Sequence, residues 1–386
     1  MRFRSATSYD DGQKHYFKRH FVYRKGKPET YIFFMERAVD LLGQNGLLGQ
    51  IIPNAWLTNH YGGQLRAHLL ECCQFLEMVD LEPIRVFRAA VVDTVIAVAQ
   101  RVSTVESGHE VNVLRGASGN AIGPRFVAAQ SGWREHPECV INLQASPSEL
   151  AVLRTIGKTG VRLGSVVEFS QGMIPFETSK EAEGTHFIST VQEGPDWLPL
   201  YESAHQLRRY ELDPPEAFIL YGPWLARPRE QRFFSEPKVL FHRLRKKLPR
   251  QLVGALDTSG SINRHSLSNL ILRPDEPADV LPAVLALFNS RLVNWWFVKT
   301  YGLLMEVGGF KVAQLPLPER WREGRSGLCE LATALADAHR RMREARMPQD
   351  LAAARRDAER LDAQTDRLVY ELYGLSDNET ALVAAP

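Results

Sequence analysis

The chain has 386 residues, with 47 lysines and arginines against 45 aspartates and glutamates, for a formal net charge of +2 at pH 7. Its hydrophobic share of 44% and charged share of 24% are ordinary for a globular protein, and the length allows more than one domain. No apolar run approaches the roughly 20 residues that a membrane span needs, and we expect no signal peptide. The four cysteines lack metal-type spacing, which favours a reducing, cytoplasmic compartment.

The first distinctive segment, Gln13–Lys27, combines basic and aromatic side chains and contains no acid. This mixture suits nucleic acid, because cations neutralise phosphates and aromatic rings stack on bases. Lys18 and Arg19 are the predicted DNA contacts here. The alternative is a solvated basic surface, which is what most charge runs are.

An amphipathic helix is predicted from Thr30 onwards, with Glu36, Arg37 and Asp40 on its polar side. Its apolar side is predicted to carry Phe34, Ala38, Leu41 and Leu42. The glycine-rich turn after it ends the helix, because glycine and asparagine accept positive φ.

The apolar run Leu47–Ile52 follows, closed by Pro53 and Asn54, and suits a strand buried on both faces of a parallel sheet. A helix, a glycine turn, a buried strand and a polar loop make half of a doubly wound α/β unit, and ligands bind at the carboxyl ends of such strands. We therefore predict a partial Rossmann-like sheet. An arbitrary α/β repeat is the alternative on this pattern alone.

Two further strands, Phe75–Leu81 and Val91–Val98, are joined without a helix and must therefore form an antiparallel hairpin. Val86 and Phe87 lie at the mouth of this hairpin. On composition alone they are interpreted as a hydrophobic plug, meaning apolar side chains packed beneath a turn. Periodicity then fades between Ser103 and Pro137, apart from a weak strand at Glu110–Leu114, and this segment is interpreted as the tail of the domain and a linker.

From Ser146 to Arg273, short strands and turns predict a mixed, mainly β domain. Its basic run, Phe241–Arg250, is so dense that its charges repel one another unless an anion lies alongside. A strand that contacts phosphates is favoured over a solvated face. The candidate residues for this contact are Arg243, Arg245, Lys246 and Lys247.

The remainder of the chain is predicted to be helical. Val280–Val298 is one helix, and heptad-like apolar positions recur from Leu328 to Met342 and from Leu351 to Leu372, on either side of Pro348. Two such helices joined by a short turn predict an antiparallel helical hairpin. We expect the domains to span residues 1–140, 146–320 and 326–375.

Several kinds of chemistry have no signature in this sequence. No glycine-rich cofactor loop follows a strand, no P-loop is present, and no histidine or cysteine cluster has metal spacing. The tetrapeptide Asp213-Pro214-Pro215-Glu216 is similar to the catalytic tetrapeptide of amino-methylating enzymes, but its fourth residue is a glutamate, which cannot stack on a base.

An ordered set of short motifs nevertheless resembles TaqI-type adenine-specific DNA methyltransferases of type II restriction–modification systems, over nearly the whole chain. In the first region the set comprises Tyr31-x-x-Phe34-x-Glu36-Arg37-Ala38, Gly46-x-x-Gly49-x-Ile51-x-Pro53, Leu65-Arg66, Val86-Phe87 and Thr94-x-Ile96. The second region resembles the TaqI-like C-terminal specificity domain through Gln171-Gly172, Arg227-x-Arg229, Pro237-Lys238-Val239-Leu240, Asn263, Leu287-x-Asn289-Ser290-x-Leu292 and Leu315-Pro316-Leu317-Pro318.

The resemblance implies roles for particular residues. Phe34 matches the aromatic residue that lines the adenine ring of S-adenosylmethionine, the implied cofactor. Phe87 matches the aromatic residue that stacks on a target adenine flipped out of double-stranded DNA, which replaces its interpretation as a plug. The basic residues at 243–247 become candidate contacts to the DNA backbone.

The family's glycine-rich cofactor motif, ribose-binding acid and Asn-Pro-Pro-Tyr tetrapeptide have no counterpart in this sequence. We therefore expect the carboxyl-terminal part of a methyltransferase, inactive unless an N-terminal methyltransferase polypeptide completes it, with an unpaired sheet edge at Leu47–Ile52. The alternatives are a stand-alone DNA-binding specificity subunit and an inactive remnant.

Overall fold

The computed structural model describes residues 9–23, 29–84, 86–87, 92–117, 121–135, 138–158, 160–176, 187–245, 248 and 250–385. The chain divides into two compact units, Met1–Ala151 and Val152–Pro386. Both units combine helices with small sheets, so the fold is mixed α/β. None of the helices in these ranges has both the length and the apolar character that crossing a membrane requires.

The first unit is built on a five-stranded sheet with the order β1-β3-β2-β4-β5. Its strands are β1 Leu47–Pro53, β2 Cys73–Asp80, β3 Thr94–Arg101, β4 Glu110–Gly116 and β5 Ile122–Ala129. Its helices are α1 Asp11–His20, α2 Thr30–Leu41, α3 Gly63–Cys72 and α4 Gln130–Arg134, and α5 Pro147–Gly157 crosses the boundary between the units. β2 and β4 are parallel, whereas the other neighbouring strands are antiparallel.

The basic segment near the amino end forms α1. Asp10 accepts a hydrogen bond from the backbone of Gln13, and the Gln13 side chain accepts one in return, which makes a capping box at the start of the helix. Phe17 and Phe21 pack on Phe33 of α2, with ring centroids 4.5 and 4.6 Å apart. These two rings are therefore used in packing α1 onto α2.

The predicted orientation of α2 is wrong. Ile32, Met35 and Val39 face the core, whereas Phe34 is 54% exposed and Leu41 is 72% exposed. Apolar residues occur on all sides of this helix. Helical spacing alone therefore identified an apolar stripe that lies on the solvent-exposed face. Glu36, predicted to be solvated, is buried because it accepts hydrogen bonds from two backbone N–H groups that follow α1.

β1 was predicted to be buried on both faces of a parallel sheet, and this prediction is also wrong. The strand lies at the edge of the described sheet and pairs antiparallel with β3. Leu47, Gly49 and Ile51 lie on one face and are exposed, because no described element covers that face. The outer edge of β1 has no neighbouring strand among the described residues, which fits the expected unpaired edge.

The segment interpreted as a linker is instead part of the first sheet. β4 pairs with β2 and β5 pairs with β4, so residues 110–129 extend the sheet by two strands. A Cβ at Gly116, where β4 ends, would lie 2.4 Å from the Ile84 side chain, so glycine there allows the loop after β2 to pack closely. Gly116, one of the glycines that weakened the strand pattern, is thus part of the packing.

The second unit contains two four-stranded sheets and one two-stranded sheet among the described residues. Their orders are β13-β12-β15-β6, β14-β8-β11-β7 and β10-β9. The strands are β6 Val167–Gln171, β7 Ile188–Ser189, β8 Trp197–Tyr201, β9 Leu207–Arg208, β10 Glu211–Leu212, β11 Ala217–Leu220, β12 Lys238–His242, β13 Gly254–Asp257, β14 Ile262–Asn263 and β15 Leu267–Leu272.

The helices of the second unit enclose its main core. They are α6 Arg232–Ser235, α7 Val280–Asn289, α8 Arg291–Tyr301, α9 Gly309–Ala313, α10 Arg325–Glu344, α11 Pro348–Tyr373 and α12 Asp377–Ala384. The apolar α7 is buried along nearly its whole length and packs against β13 and α10. α10 and α11 pack along one another through the predicted heptad positions, and Gly374 ends α11 with a φ of 67°.

Candidate nucleic-acid interface

The outer surface of α1 carries cations with little else packed over them. Lys18 and Arg19 are exposed in its last turn, and none of the helix is fully buried. Cations at the carboxyl end of a helix also interact favourably with its dipole, so their placement has a structural reason as well. Phe17 and Phe21 pack inward, so Tyr16, which is 53% exposed, is the ring of α1 that a nucleic acid would meet beside these charges. The DNA contact of Lys18 and Arg19 stays a prediction.

The loop that follows β1 is held rigidly by a buried arginine. The Arg66 guanidinium on α3 donates hydrogen bonds to the backbone carbonyls of Trp56, Asn59, Glu138 and Cys139. Burial lowers the pKa of Arg66 to about 10, so the side chain stays charged at neutral pH. Arg66 therefore fixes the backbone that follows the carboxyl end of β1.

Phe34 offers an exposed aromatic surface on the helix that precedes the first strand of the sheet. Its side chain is more than half exposed on α2, the helix that precedes β1. The nearby carboxylate of Glu36 is occupied by the backbone N–H groups of Val22 and Tyr23. The contact of Phe34 with the adenine ring of a cofactor stays a prediction, and no methyl-transfer step follows from the described residues.

Phe87 is half-buried in the connection between β2 and β3. The base of this connection is fixed by Asp80, the last residue of β2, which is 2% exposed. Its carboxylate accepts hydrogen bonds from the Glu82 backbone at 3.0 Å and from the Gln144 side chain at 3.2 Å. The guanidinium groups of Arg115 and Arg125 lie 3.8 and 3.6 Å from the same carboxylate.

Sequence reasoning did not find the Asp80 cluster. The only hint in the sequence was an aspartate at the end of a strand. Both arginines lie on the later strands β4 and β5, in the segment interpreted as a linker, so their position next to Asp80 could not be predicted. The cluster shows that the start of the loop holding Phe87 is well anchored. Residues 85 and 88–91 of this loop lie outside the described residues.

The basic run after β12 is largely engaged within the protein. Arg243 pairs with Glu306 at 2.5 Å and donates to the carbonyl of His265 at 3.0 Å. Arg245 is 8% exposed and donates to the carbonyl of Arg250, which itself donates to the carbonyl of Asn289. Internal acceptors thus offset the repulsion that suggested an external anion. Lys246 and Lys247 lie outside the described residues, and the phosphate contacts of the whole run stay predictions.

Metal-dependent chemistry has no candidate site in the parts that the structure covers. Within those ranges, no group of three or more histidine, cysteine, aspartate and glutamate side chains is arranged to hold a metal ion. The four cysteines are free thiols.

Two segments of the chain match known protein families. Residues 3–87 match the family described as Eco57I restriction-modification methylase, and residues 198–317 match the TaqI-like C-terminal specificity domain. The chain joins a methylase segment to a specificity domain. The family resemblance expected from the motifs is thereby confirmed, and it indicates a role related to the DNA methyltransferases of restriction–modification systems.

Individual proteins are similar to this chain over a short segment in sequence or in overall fold. The Type II methyltransferase M.XhoI of Xanthomonas vasicola is 39% identical over 61 residues, which are 16% of this chain and 11% of that protein. The Type IIL restriction-modification enzyme MmeI, solved in complex with DNA, has a similar fold, with a TM-score of 0.60 and 12% identity. The alignment covers 99% of this chain and 55% of MmeI, so the chain spans about half the length of that protein.

The matched segments contain the predicted site residues. Lys18, Arg19, Phe34 and Phe87 fall within the methylase segment, in which Phe87 is the last matched residue. Arg243 and Arg245 fall within the specificity domain. The aromatic candidates and the basic candidates of the second unit thus belong to two different functional segments.

Proposed function

We propose that the chain is the base-stacking and DNA-recognition part of an S-adenosylmethionine-dependent adenine-N6 DNA methyltransferase of a restriction–modification system. The remainder of the catalytic domain is supplied by polypeptide outside these 386 residues. When bound, S-adenosylmethionine supplies the methyl group. This chain contributes Phe34 beside the cofactor, Phe87 against the flipped adenine and a specificity domain on duplex DNA.

The observation that carries the proposal is the open edge of the methylase sheet. Among the described residues, β1 has a partner strand on one side only, and Leu47 and Ile51 on one of its faces are 63% and 43% exposed. Phe34 is exposed on the preceding helix. An edge strand with exposed apolar side chains is a template for pairing with further chain, and the sequence motifs that methyl transfer requires are the ones this sequence lacks.

A reconstitution experiment tests the proposal. The purified chain is incubated with duplex DNA and labelled S-adenosylmethionine, alone and with a methyltransferase polypeptide that carries the glycine-rich motif and the Asn-Pro-Pro-Tyr tetrapeptide. We expect N6-methyladenine only in the mixture. Strong methylation by the chain alone would contradict the proposal, as would the absence of methylation in every mixture.

The role of Phe87 has a separate readout in the reconstituted enzyme. A duplex with 2-aminopurine at the target position becomes fluorescent when that base leaves the stack. We expect Phe87→Ala to lower methylation strongly and to change this fluorescence, while binding of duplex DNA is retained. Phe21→Leu is a control that alters another aromatic residue, one that packs inward on Phe33.

A second candidate function is a stand-alone DNA-recognition module that positions a separate enzyme. It is favoured by the compactness of the second unit, which has its own buried core of helices and sheets. Sequence-selective and salt-sensitive DNA binding by the chain, without affinity for S-adenosylmethionine and without a stimulating partner, would identify this function.

A further inference from the structure

Three backbone segments of the specificity domain meet just after the end of β6. Met173 donates its backbone N–H to the carbonyl of Asn263 at 2.9 Å. On its other side, the next residue, Ile174, exchanges backbone hydrogen bonds of 3.1 and 2.9 Å with Arg227. The segment 171–174 is thereby held between residues 227–229 and residues 263–265.

The contact between two of these segments is unusually close. A Cβ at Gly172 would lie 2.2 Å from the backbone oxygen of Arg264 and 2.6 Å from the side-chain nitrogen of Asn263. Only glycine fits such an approach, because any side chain would collide with backbone. Asn263 itself is fully buried. The positions of Gln171 and Arg264 are therefore set by tightly packed backbone.

Arg229 adopts a backbone conformation that side chains rarely accept. Its φ is 75°, in the left-handed region, where a residue other than glycine carries strain. The hydroxyl of Tyr221 donates to the carbonyl of Arg229 at 2.8 Å and contacts that of Pro228. Burial raises the pKa of Tyr221 to about 12, so the hydroxyl keeps its proton at neutral pH.

This conformation brings the Arg229 guanidinium to the side chain of Gln171. The Nη2 of Arg229 lies 3.4 Å from the Oε1 of Gln171, a long and weak hydrogen bond. Gln171 is exposed and Arg229 is half-buried. The two polar side chains are therefore held side by side, with most of their hydrogen-bonding capacity unused by this contact.

Further cations flank the pair. Arg227 is exposed, and the guanidinium of Arg264 lies over the ring of Phe176 at 5.7 Å, with Glu202 at 3.6 Å. Glu230, the acid nearest in sequence to Arg229, pairs with Arg232 at 2.9 Å. Among the described residues around Gln171, arginines therefore outnumber acids, whereas the described arginines of the basic run after β12 bond to Glu306 and to backbone carbonyls.

We infer that Gln171 and Arg229 form a base-reading pair that contacts base edges in the major groove of duplex DNA, with Arg227 and Arg264 on the flanking phosphates. The inference rests on the proposed function, because it requires the specificity domain to bind DNA. A guanidinium matches the O6 and N7 acceptors of guanine, and a carboxamide matches the N6 donor and N7 acceptor of adenine. The hydrogen bonds of Tyr221 hold the strained backbone of Arg229 in place, which positions the guanidinium precisely, as base readout requires.

Arg229→Gly is the decisive variant, because it removes the guanidinium and also relieves the positive φ, so the fold is not put at risk. The full chain selects ligands from a pool of duplexes with a randomised centre, and the bound sequences are read. Arg320→Ala is the matched control, since it removes the same charge from a side chain that is 73% exposed and paired with Glu323.

We expect Arg229→Gly to lose the preference for one base pair by about 5- to 150-fold, and Arg229→Lys to lose most of it, because a lysine cannot make the bidentate contact. Affinity for a scrambled duplex is expected to stay within about twofold of the wild type, because phosphate contacts carry no sequence information. Arg227→Ala and Arg264→Ala are expected to weaken binding to all duplexes and to reduce the salt slope by about 1 each.

Three results would overturn the inference, and they differ in what they mean for the proposed function. If the wild type selects a sequence and Arg229→Gly selects the same one with undiminished preference, the base-reading pair is wrong and the proposed function stands. If the wild type binds no duplex, alone or in the reconstituted enzyme, both fail. An equal loss in the Arg320→Ala control would show that net charge rather than the pair sets the preference, and would also reject it.

Discussion

The buried ion pair between Lys238 and Asp257 allows a quantitative test of how the specificity domain is held together. The two residues lie opposite each other on β12 and β13, with Nζ 2.6 Å from the carboxylate and side chains that are 0% and 2% exposed. Lys238 also donates to the carbonyl of Phe234 at 2.6 Å. Asp257 accepts further hydrogen bonds from Ser259 and Ser261.

Lys238→Met keeps the volume and removes the charge. The carboxylate left behind is buried without its counter-ion, and removing one partner of such a pair costs about 3–5 kcal/mol in the free energy of unfolding. The double variant Lys238→Met with Asp257→Asn leaves no buried charge, so we expect it to recover about 2 kcal/mol of that loss. Urea unfolding of the full chain, followed by tryptophan fluorescence, measures both values.

The pH dependence provides an independent check. Burial opposes the charge of Asp257, but Lys238 and the serine hydroxyls hold the pKa of its carboxyl below the ordinary value. In the native chain, the contribution of the Asp257 carboxylate to stability is present above the pKa that this group has in the unfolded chain. It is lost as the pH falls through the pKa of the group in the folded chain. Without Lys238 the pKa of the Asp257 carboxyl rises. The difference in the free energy of unfolding between the wild type and Lys238→Met therefore becomes smaller as the pH falls. A cost below about 1 kcal/mol, or a deficit that does not change with pH, would refute this reasoning.

Three further predictions concern other parts of the chain. Burial lowers the pKa of His339 to about 4, so the contribution of this neutral histidine to stability is complete above about pH 6.5 and is lost as the pH falls towards 4. With allowance for solvent screening, His339→Gln should remove about 1 kcal/mol of the stability that the protein loses between pH 7 and pH 5. Thermal melts measure this difference, and an unchanged pH profile would contradict the prediction. Glu36→Ala leaves two backbone N–H groups without their acceptor and should cost about 1–3 kcal/mol in urea unfolding, whereas Arg37→Ala, an exposed neighbour, should be close to neutral. Ile51→Lys should leave the isolated chain stable but prevent reconstitution of methylation; normal activity of this variant in the mixture would mean that the exposed face of β1 is not covered by the partner.

Sequence reasoning worked where the signal is local. Alternation and β-branching located the strands that became β2 and β3, and these two are antiparallel neighbours. The heptad spacing of α10 and α11 predicted their packing, because a stripe at that spacing has to be buried along a partner. The motif order was sufficient to indicate the restriction–modification family.

The same reasoning failed where burial depends on what lies opposite a residue. Phe34 and Leu41 have helical spacing, yet they are exposed because the core lies on the other side of α2. β4 was expected only as a weak strand at Glu110–Leu114, and β5 was missed because Gly123 and Pro124 interrupt its pattern, although pairing across the sheet stabilises both strands. Glu36 is buried because two backbone N–H groups bond to it, which no periodicity reveals.

The sequence by itself indicated the resemblance to restriction–modification methylases, most of the helices and strands, and the set of charged residues on the chain. Only the tertiary structure decided which of those charges are already engaged. Arg243 meets Glu306, 63 residues away in the chain, and Arg229 meets Gln171, 58 residues away. The physical reason is that the partner of a charged side chain is chosen by distance in space, and folding brings together groups whose separation in sequence carries no information about that distance.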